Sequence, residues 1–220
     1  MNIQKSLDQF LVGNDKNKGR SLNERYASFD FCYNYFYAFY RQNKISKLAN
    51  KDNLEISCLQ IGFYLASWGM LRGSSFLLEK SVRNFSDLIV VISKMDPKLW
   101  EIDAPDYNEE NISILLDCKK QIIKALGEEN KPSDILITKI MLGVFSNIPA
   151  FDKYFRKSMK VYSFNKNSLL KIKDFYLENK NTLDSYNIHT LDFRKGIETN
   201  IVYNKAKLID MCSFIDGFKK

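Results

Sequence analysis

Eight of the eleven residues in 135–145 are apolar, and on a helical wheel at about 100° per residue they point in almost every direction. A helix without a polar face has to be enclosed on all sides. The rest of the chain must therefore supply enough elements to surround it, and whatever polar group it carries goes into the interior with it. Only Thr138, Lys139 and Gly143 interrupt the apolar set. Lys139 points into the sector that Gly143 leaves open one turn later. An amine in that place either runs its stem out to water or sits desolvated, and desolvation lowers its pKa enough to make it a nucleophile near neutral pH.

The surrounding elements read as helices. Glycine (9) and proline (4) are scarce in the 220 residues, too few for the turns of an all-β protein. A helix is expected over 3–12, then a polar loop, then a helix over 23–42. Phe29, Tyr33, Phe36, Tyr37 and Tyr40 of that second helix share one face. Residues 54–81 are apolar on nearly all sides and predict a buried central helix, broken near Gly69. Arg72, between Gly69 and Gly73, needs an anion, either a buried carboxylate or a phosphate-like ligand. Further helices follow over 85–95, where Ser86 or Asn84 would serve as N-cap, and then over 108–130, 131–147, from Pro149 onward, 165–181 and 201–218. Residues 187–200 look irregular. The two-proline stretch 96–107 is the place for a boundary between lobes within one domain spanning 1–220. This gives an all-α fold of about nine helices in a compact, two-lobed bundle, with no strand pair.

Net charge is +7, and most of it lies late in the chain. From Phe151 onward 14 Lys/Arg face 8 Asp/Glu, a net of +6. Such a balance points to a polyanionic partner, nucleic acid before membrane. Arg156, Lys157, Lys160, Lys166, Lys171 and Lys173 cluster in two adjacent helices with Tyr154, Phe155 and Tyr162 between them. That pattern fits a phosphate-tracking surface, and it fits equally two amphipathic helices with solvated lysines. The four cysteines are far apart and the single histidine, His189, has no Cys or Ser motif beside it. No metal site or cofactor is expected from that inventory. Reduced buried thiols, no signal-peptide core and no apolar run of about 18 residues predict a cytoplasmic protein without a membrane span.

The stretch "TKIMLGVFSNIPAFDKYFRK" resembles the catalytic stretch of helix-hairpin-helix DNA glycosylases, especially those of the 8-oxoguanine type. There, too, a lysine in an apolar helix is followed by a proline-containing turn and an aspartate that opens the next helix. The resemblance covers about 25 residues. It implies an all-α, two-lobed fold with DNA in the cleft, Lys139 as Schiff-base nucleophile, and Asp152 as the carboxylate that activates it and steadies the sugar cation. Phe151 and Tyr154 would flank the pocket. Phe29, Tyr33, Tyr64 and Trp68 are the further rings able to stack on an extruded base. The segment before the lysine, "EENKPSDILITK", lacks the family's Gly-x-Gly. Asp152 read from its position alone is a first-turn carboxylate favoured by the helix dipole. Two other readings stand beside base excision: a non-catalytic helical nucleic-acid binder, and an interaction module of a bacterial stress or anti-phage system whose 23–42 helix forms the interface.

Overall fold

The computed structural model describes residues 1–14 and 18–219. In chain order the helices are α1 (Ile3–Val12), α2 (Ala27–Arg41), α3 (Lys51–Ser67), α4 (Ser86–Ile92), α5 (Glu109–Leu126), α6 (Asp134–Phe145), α7 (Lys153–Met159), α8 (Lys166–Glu178) and α9 (Lys180–Asp184), closed by α10 (Lys205–Lys219). Between α9 and α10 lies an antiparallel hairpin, β1 (His189–Leu191) and β2 (Glu198–Val202). The fold is all-α apart from that hairpin.

Helix α6 sits where its composition requires. Every residue from Leu136 to Phe145 is buried, and α2, α3 and α5 pack around it. Ser133 caps its start by accepting the N–H of Leu136, and Ser146, with φ 57°, turns the chain out of the helix. Gly143 is required by a close approach: a Cβ there would lie 2.4 Å from the ring of Tyr64. The sector beside Lys139 is therefore filled by an aromatic ring. A second helix is enclosed in the same way, because Ala206 through Ile215 of α10 are all buried between α1 and α7.

Three expectations are corrected. Residues 54–81 do not form one central buried helix. α3 ends at Ser67, and Ile56, Leu59 and Phe63 on its outer side are exposed. Residues 189–202 form the hairpin, across the stretch expected to be irregular and the first two residues expected to be helical, because a short, partly polar pair of strands is not announced in local sequence. Helix α4 starts at Ser86 with no side-chain cap, so neither Ser86 nor Asn84 plays that part. The 96–107 stretch packs into the core through Trp100, Ile102 and Tyr107. Its Asp103 accepts the N–H groups of Lys205 and Ala206, and so caps α10 from far away in sequence. Among the described residues no helix is long and apolar enough to cross a membrane. All four cysteines are buried and unpaired.

The hairpin is tied to α2 by a buried polar network. Arg20 pairs with Asp30 at 3.5 Å and Glu198 at 3.2 Å, and donates to the carbonyl of His189 and the hydroxyl of Tyr203. Asp30 also accepts from the Leu191 N–H and the Tyr203 hydroxyl. Burial outweighs the help from Arg20 and Tyr203, and the Asp30 carboxyl is pushed up to about 6. The sign follows from linkage: the folded chain holds this proton more tightly than the unfolded one. Its stabilising contribution is complete below about pH 4 and is lost as pH rises through 6. A shift of this size corresponds to about 3 kcal/mol. Urea melts from pH 4 to 7 should therefore show the wild type losing stability relative to Asp30→Asn across that window. Parallel profiles for the two proteins would refute the assignment.

Candidate active site at the α6–α7 junction

The turn between α6 and α7 carries "SNIPAFD", and it is pinned from two sides. Thr138 on α6 donates to the carbonyl of Asp134 and accepts the Phe151 N–H at 2.9 Å. Asp210 on α10 accepts the Ala150 N–H at 3.0 Å. The turn therefore delivers Asp152 to a fixed place at the start of α7. One of its oxygens, Oδ1, accepts the N–H groups of Tyr154 and Phe155 at 2.9 and 3.0 Å and caps the helix. The other, Oδ2, stands 3.9 Å from Nζ of Lys139. Asp152 is thus the N-cap of α7, one place before its first turn, and its free oxygen faces the lysine.

Lys139 does not run out to water. Its side chain is 6% exposed, against 15% for Asp152. Nζ donates to the carbonyl oxygen of Trp68 at 2.8 Å and lies 5.4 Å from that ring's centroid. Desolvation is the largest influence on it and lowers its pKa; Arg25 and Arg72 act in the same direction, while Asp152 and Asp210 oppose. The Asp152 carboxyl is pushed up, first by desolvation and then by Asp210, against the pull of Lys139 and the α7 N–H groups. Burial thus works against the charged form of both partners, although the geometry is that of an ion pair. Desolvation prevails, because at 3.9 Å the contact is long for a charge-assisted hydrogen bond. An amine held short of full basicity beside a carboxylate can attack an electrophilic carbon and pass its proton to that carboxylate.

A second buried pair supports the first. Lys207 on α10 is 1% exposed, sits 2.9 Å from Asp210 and lies 4.4 Å over the ring of Phe29. Asp210 thus bridges the charge of Lys207 and the turn that carries Asp152. In sequence these two are an i, i+3 Lys–Asp pair inside the stretch 206–215, whose other residues are apolar but for Ser213, and that interruption is the signal that could have singled them out.

The expected stacking rings divide sharply. Phe29, Tyr33, Tyr64 and Phe151 are core, with at most 2% exposure, so in this arrangement none of them presents a face to a base. Trp68 and Tyr154 are half-buried at the site and meet through Phe214, at 5.7 and 5.2 Å between ring centroids. Arg25, absent from the sequence-based set, lies over Trp68 at 5.4 Å and over Tyr26 at 5.3 Å. The indole N–H of Trp68 is buried and finds no partner among the described residues.

The expected basic surface divides as well. Arg72 is exposed, and no carboxylate among the described residues lies within 4.0 Å of it, so a buried Arg–carboxylate pair is not formed. Its guanidinium packs on Gly69, where a Cβ would come within 2.7 Å of Nε. Lys166 is paired with Glu109 at 2.6 Å, Lys173 donates to the Tyr107 carbonyl and Lys171 to that of Lys160. Arg156 is half-buried, while Lys157 and Lys160 are exposed. The α7–α8 lysines therefore do not form one continuous unpaired track. His189 is in β1, where Nδ1 meets the Thr199 carbonyl at 2.9 Å. Among the described residues no three His, Cys, Asp or Glu side chains converge as a metal site would require. Comparison with family models, with characterised proteins and with solved structures yields no match, so a functional reading of this chain rests on the geometry of its own residues.

Proposed function

We propose that this protein processes nucleic-acid bases in the manner of a DNA glycosylase, excising a damaged or modified base with Lys139 as nucleophile. The observation that carries the reading is the desolvated lysine 3.9 Å from Asp152 across the α6–α7 turn. In the reaction the bond from C1′ to the base breaks and the base leaves with the electron pair. The Lys139 amine forms the new bond at C1′, and Asp152 offsets the positive charge that develops on the sugar before taking the proton from nitrogen. Opening of the sugar ring then yields the imine. Trp68 covers Nζ, so substrate entry requires it to swing away. It caps the end of α3, and the Gly69 that follows has φ 73°, a backbone state that favours glycine. Without a Gly-x-Gly before the lysine, phosphate contact falls to Arg72 and Arg25 beside the site. The buried thiols suit a reducing, cytoplasmic setting.

The test is borohydride trapping with labelled oligonucleotides carrying abasic sites, 8-oxoguanine, uracil or hypermodified pyrimidines. A covalent adduct on a denaturing gel is expected with wild type and none with Lys139→Gln. Absence of an adduct with every substrate would sink the lysine chemistry.

One observation favours a second reading, the interaction module. Ile56, Leu59 and Phe63, spaced i, i+3, i+7 on α3, are 48%, 48% and 71% exposed, which is the seam a partner helix would cover. The aromatic face of α2 does not serve that purpose, since Phe29, Tyr33 and Phe36 are core. Sedimentation velocity of wild type against Leu59→Asp tests it. A concentration-dependent shift lost in the variant supports the seam, and a monomer in both removes it.

A further inference from the structure

Next to the Lys139 site lies a groove of about 970 Å³. Helix α2 packs against α3 on one side and β1 on another, and so forms the floor. Phe63 of α3 and Phe193 of the hairpin tip line it with 71% and 76% of their surface exposed, and Phe31 of α2 meets Phe193 edge-on at 5.2 Å. Phe193 is not a loose end. Asp192 Oδ1 accepts the N–H groups of Arg194 and Lys195 at 2.9 and 2.7 Å, and the Asp192 carbonyl accepts that of Gly196, so the tip is a closed turn holding Phe193 and Arg194 outward.

The chemistry of the lining selects its occupant. An apolar helix needs aliphatic sockets, and Leu22 is the only branched aliphatic side chain in the lining. Instead, flat rings are interleaved with amides, Gln60 and Asn23 among them, and two arginines, Arg25 and Arg194. Neither arginine has a carboxylate within 4.0 Å among the described residues. The acidic members of the lining are otherwise engaged, Glu24 with Lys18 at 3.3 Å and Asp192 with its own turn. Rings that stack, amides that reach base edges and unneutralised guanidinium groups together match nucleotides with exposed bases. Arg25 also links the groove to the active site, because the same guanidinium lies over Trp68, whose carbonyl holds Lys139.

We propose that this groove binds single-stranded nucleic acid, its bases stacking on Phe63 and Phe193 and its phosphates meeting Arg25 and Arg194. The stacking site stands independently of Lys139 chemistry; only its role, feeding a base to Lys139, rests on the base-processing reading.

Fluorescence anisotropy with a short labelled mixed-sequence DNA single strand, titrated with the full chain at several salt concentrations, tests it. Phe193→Ala and Phe63→Ala should each weaken binding by about 5- to 150-fold, and Phe193→Tyr should restore it. Arg194→Ala should reduce the slope of log affinity against log salt by about 0.7, one single-strand phosphate. All of these side chains are exposed, so unchanged thermal melts are expected to accompany the losses. An adduct at Lys139 with affinities indifferent to both rings would overturn the groove while leaving base processing in place. Ring-dependent binding without any adduct would support the groove and remove the lysine chemistry. Absence of binding, or a change in sedimentation rather than in oligonucleotide affinity on Phe193→Ala, would overturn the proposal in favour of a protein interface.

Discussion

Asp152→Ala is expected to lower stability by about 3–5 kcal/mol, because it leaves the buried Lys139 charge with the Trp68 carbonyl but no counter-charge within 4.0 Å among the described residues, and strips the cap from α7. For a chain of this length that is a fall of about 6–20 °C in the melting temperature. It takes a large share of the roughly 5–15 kcal/mol that holds a domain folded. The companion variants separate the two jobs of the residue. Asp152→Asn keeps an oxygen for the Tyr154 and Phe155 N–H groups and loses only the counter-charge, so it should cost less. It should still slow covalent trapping by about 10²–10³-fold, the usual size of a lost electrostatic contact in a water-excluded site. The double variant Lys139→Met/Asp152→Asn removes both charges and keeps the cap. Because burial works against the ionised form of each partner, it should recover to within about 2 kcal/mol of wild type. Chemical denaturation of the four proteins measures the stabilities, and borohydride trapping measures the rates. If the double variant were as unstable as Asp152→Ala, the pair would not be the source of the loss.

Gly217→Ala should rank second. On an open helix surface this change gains about 1 kcal/mol in helix propensity. Here the added Cβ would lie 2.0 Å from the carbonyl oxygen of Tyr154 and 2.7 Å from its carbon. Those are backbone atoms and cannot rotate aside, so α10 and α7 must separate. Overpacking of that kind costs about 3 kcal/mol or more, which outweighs the propensity gain and leaves a net loss of at least about 2 kcal/mol. Thermal melts should fall by about 4–8 °C or more. The displacement has a functional side as well: Tyr154 is in the first turn of α7, two residues from Asp152, and moving that turn lengthens the approach to Lys139. Trapping should slow beyond what the lost stability explains at a temperature where the variant is still folded. A melting curve equal to that of wild type would show that the two helices have room the geometry denies them.

The seam on α3 shows how local patterns mislead. Residues 54–67 are rich enough in apolar side chains to read as enclosed, yet Ile56, Leu59 and Phe63 face outward. Composition says that such residues gain from burial, but not whether this chain supplies the cover. The hairpin shows the converse. Its strands are three and five residues long, and what holds them is Arg20 and Asp30, distant in sequence and on other elements.

What local sequence determined is the helical character of the chain and the burial of α6, since an all-round apolar helix has no wet side; whether Lys139 ran out to water or stayed dry was left open by the sequence and decided by the tertiary structure. The order lysine, proline turn, aspartate was visible as well, and so was the resemblance built on it. Only the tertiary structure decided that Asp152 faces Lys139 while capping α7, that Asp210 and Lys207 stand behind them, and that the Trp68 carbonyl covers the amine. It alone separated the rings enclosed in the core from Phe63 and Phe193, which remain open to solvent. Helical periodicity is set within a few residues, so a window of sequence carries it. The direction in which a buried charge finds its partner, and whether a ring is covered, depend on elements brought together from α2, α3, the hairpin and α10, and no local window holds those at once.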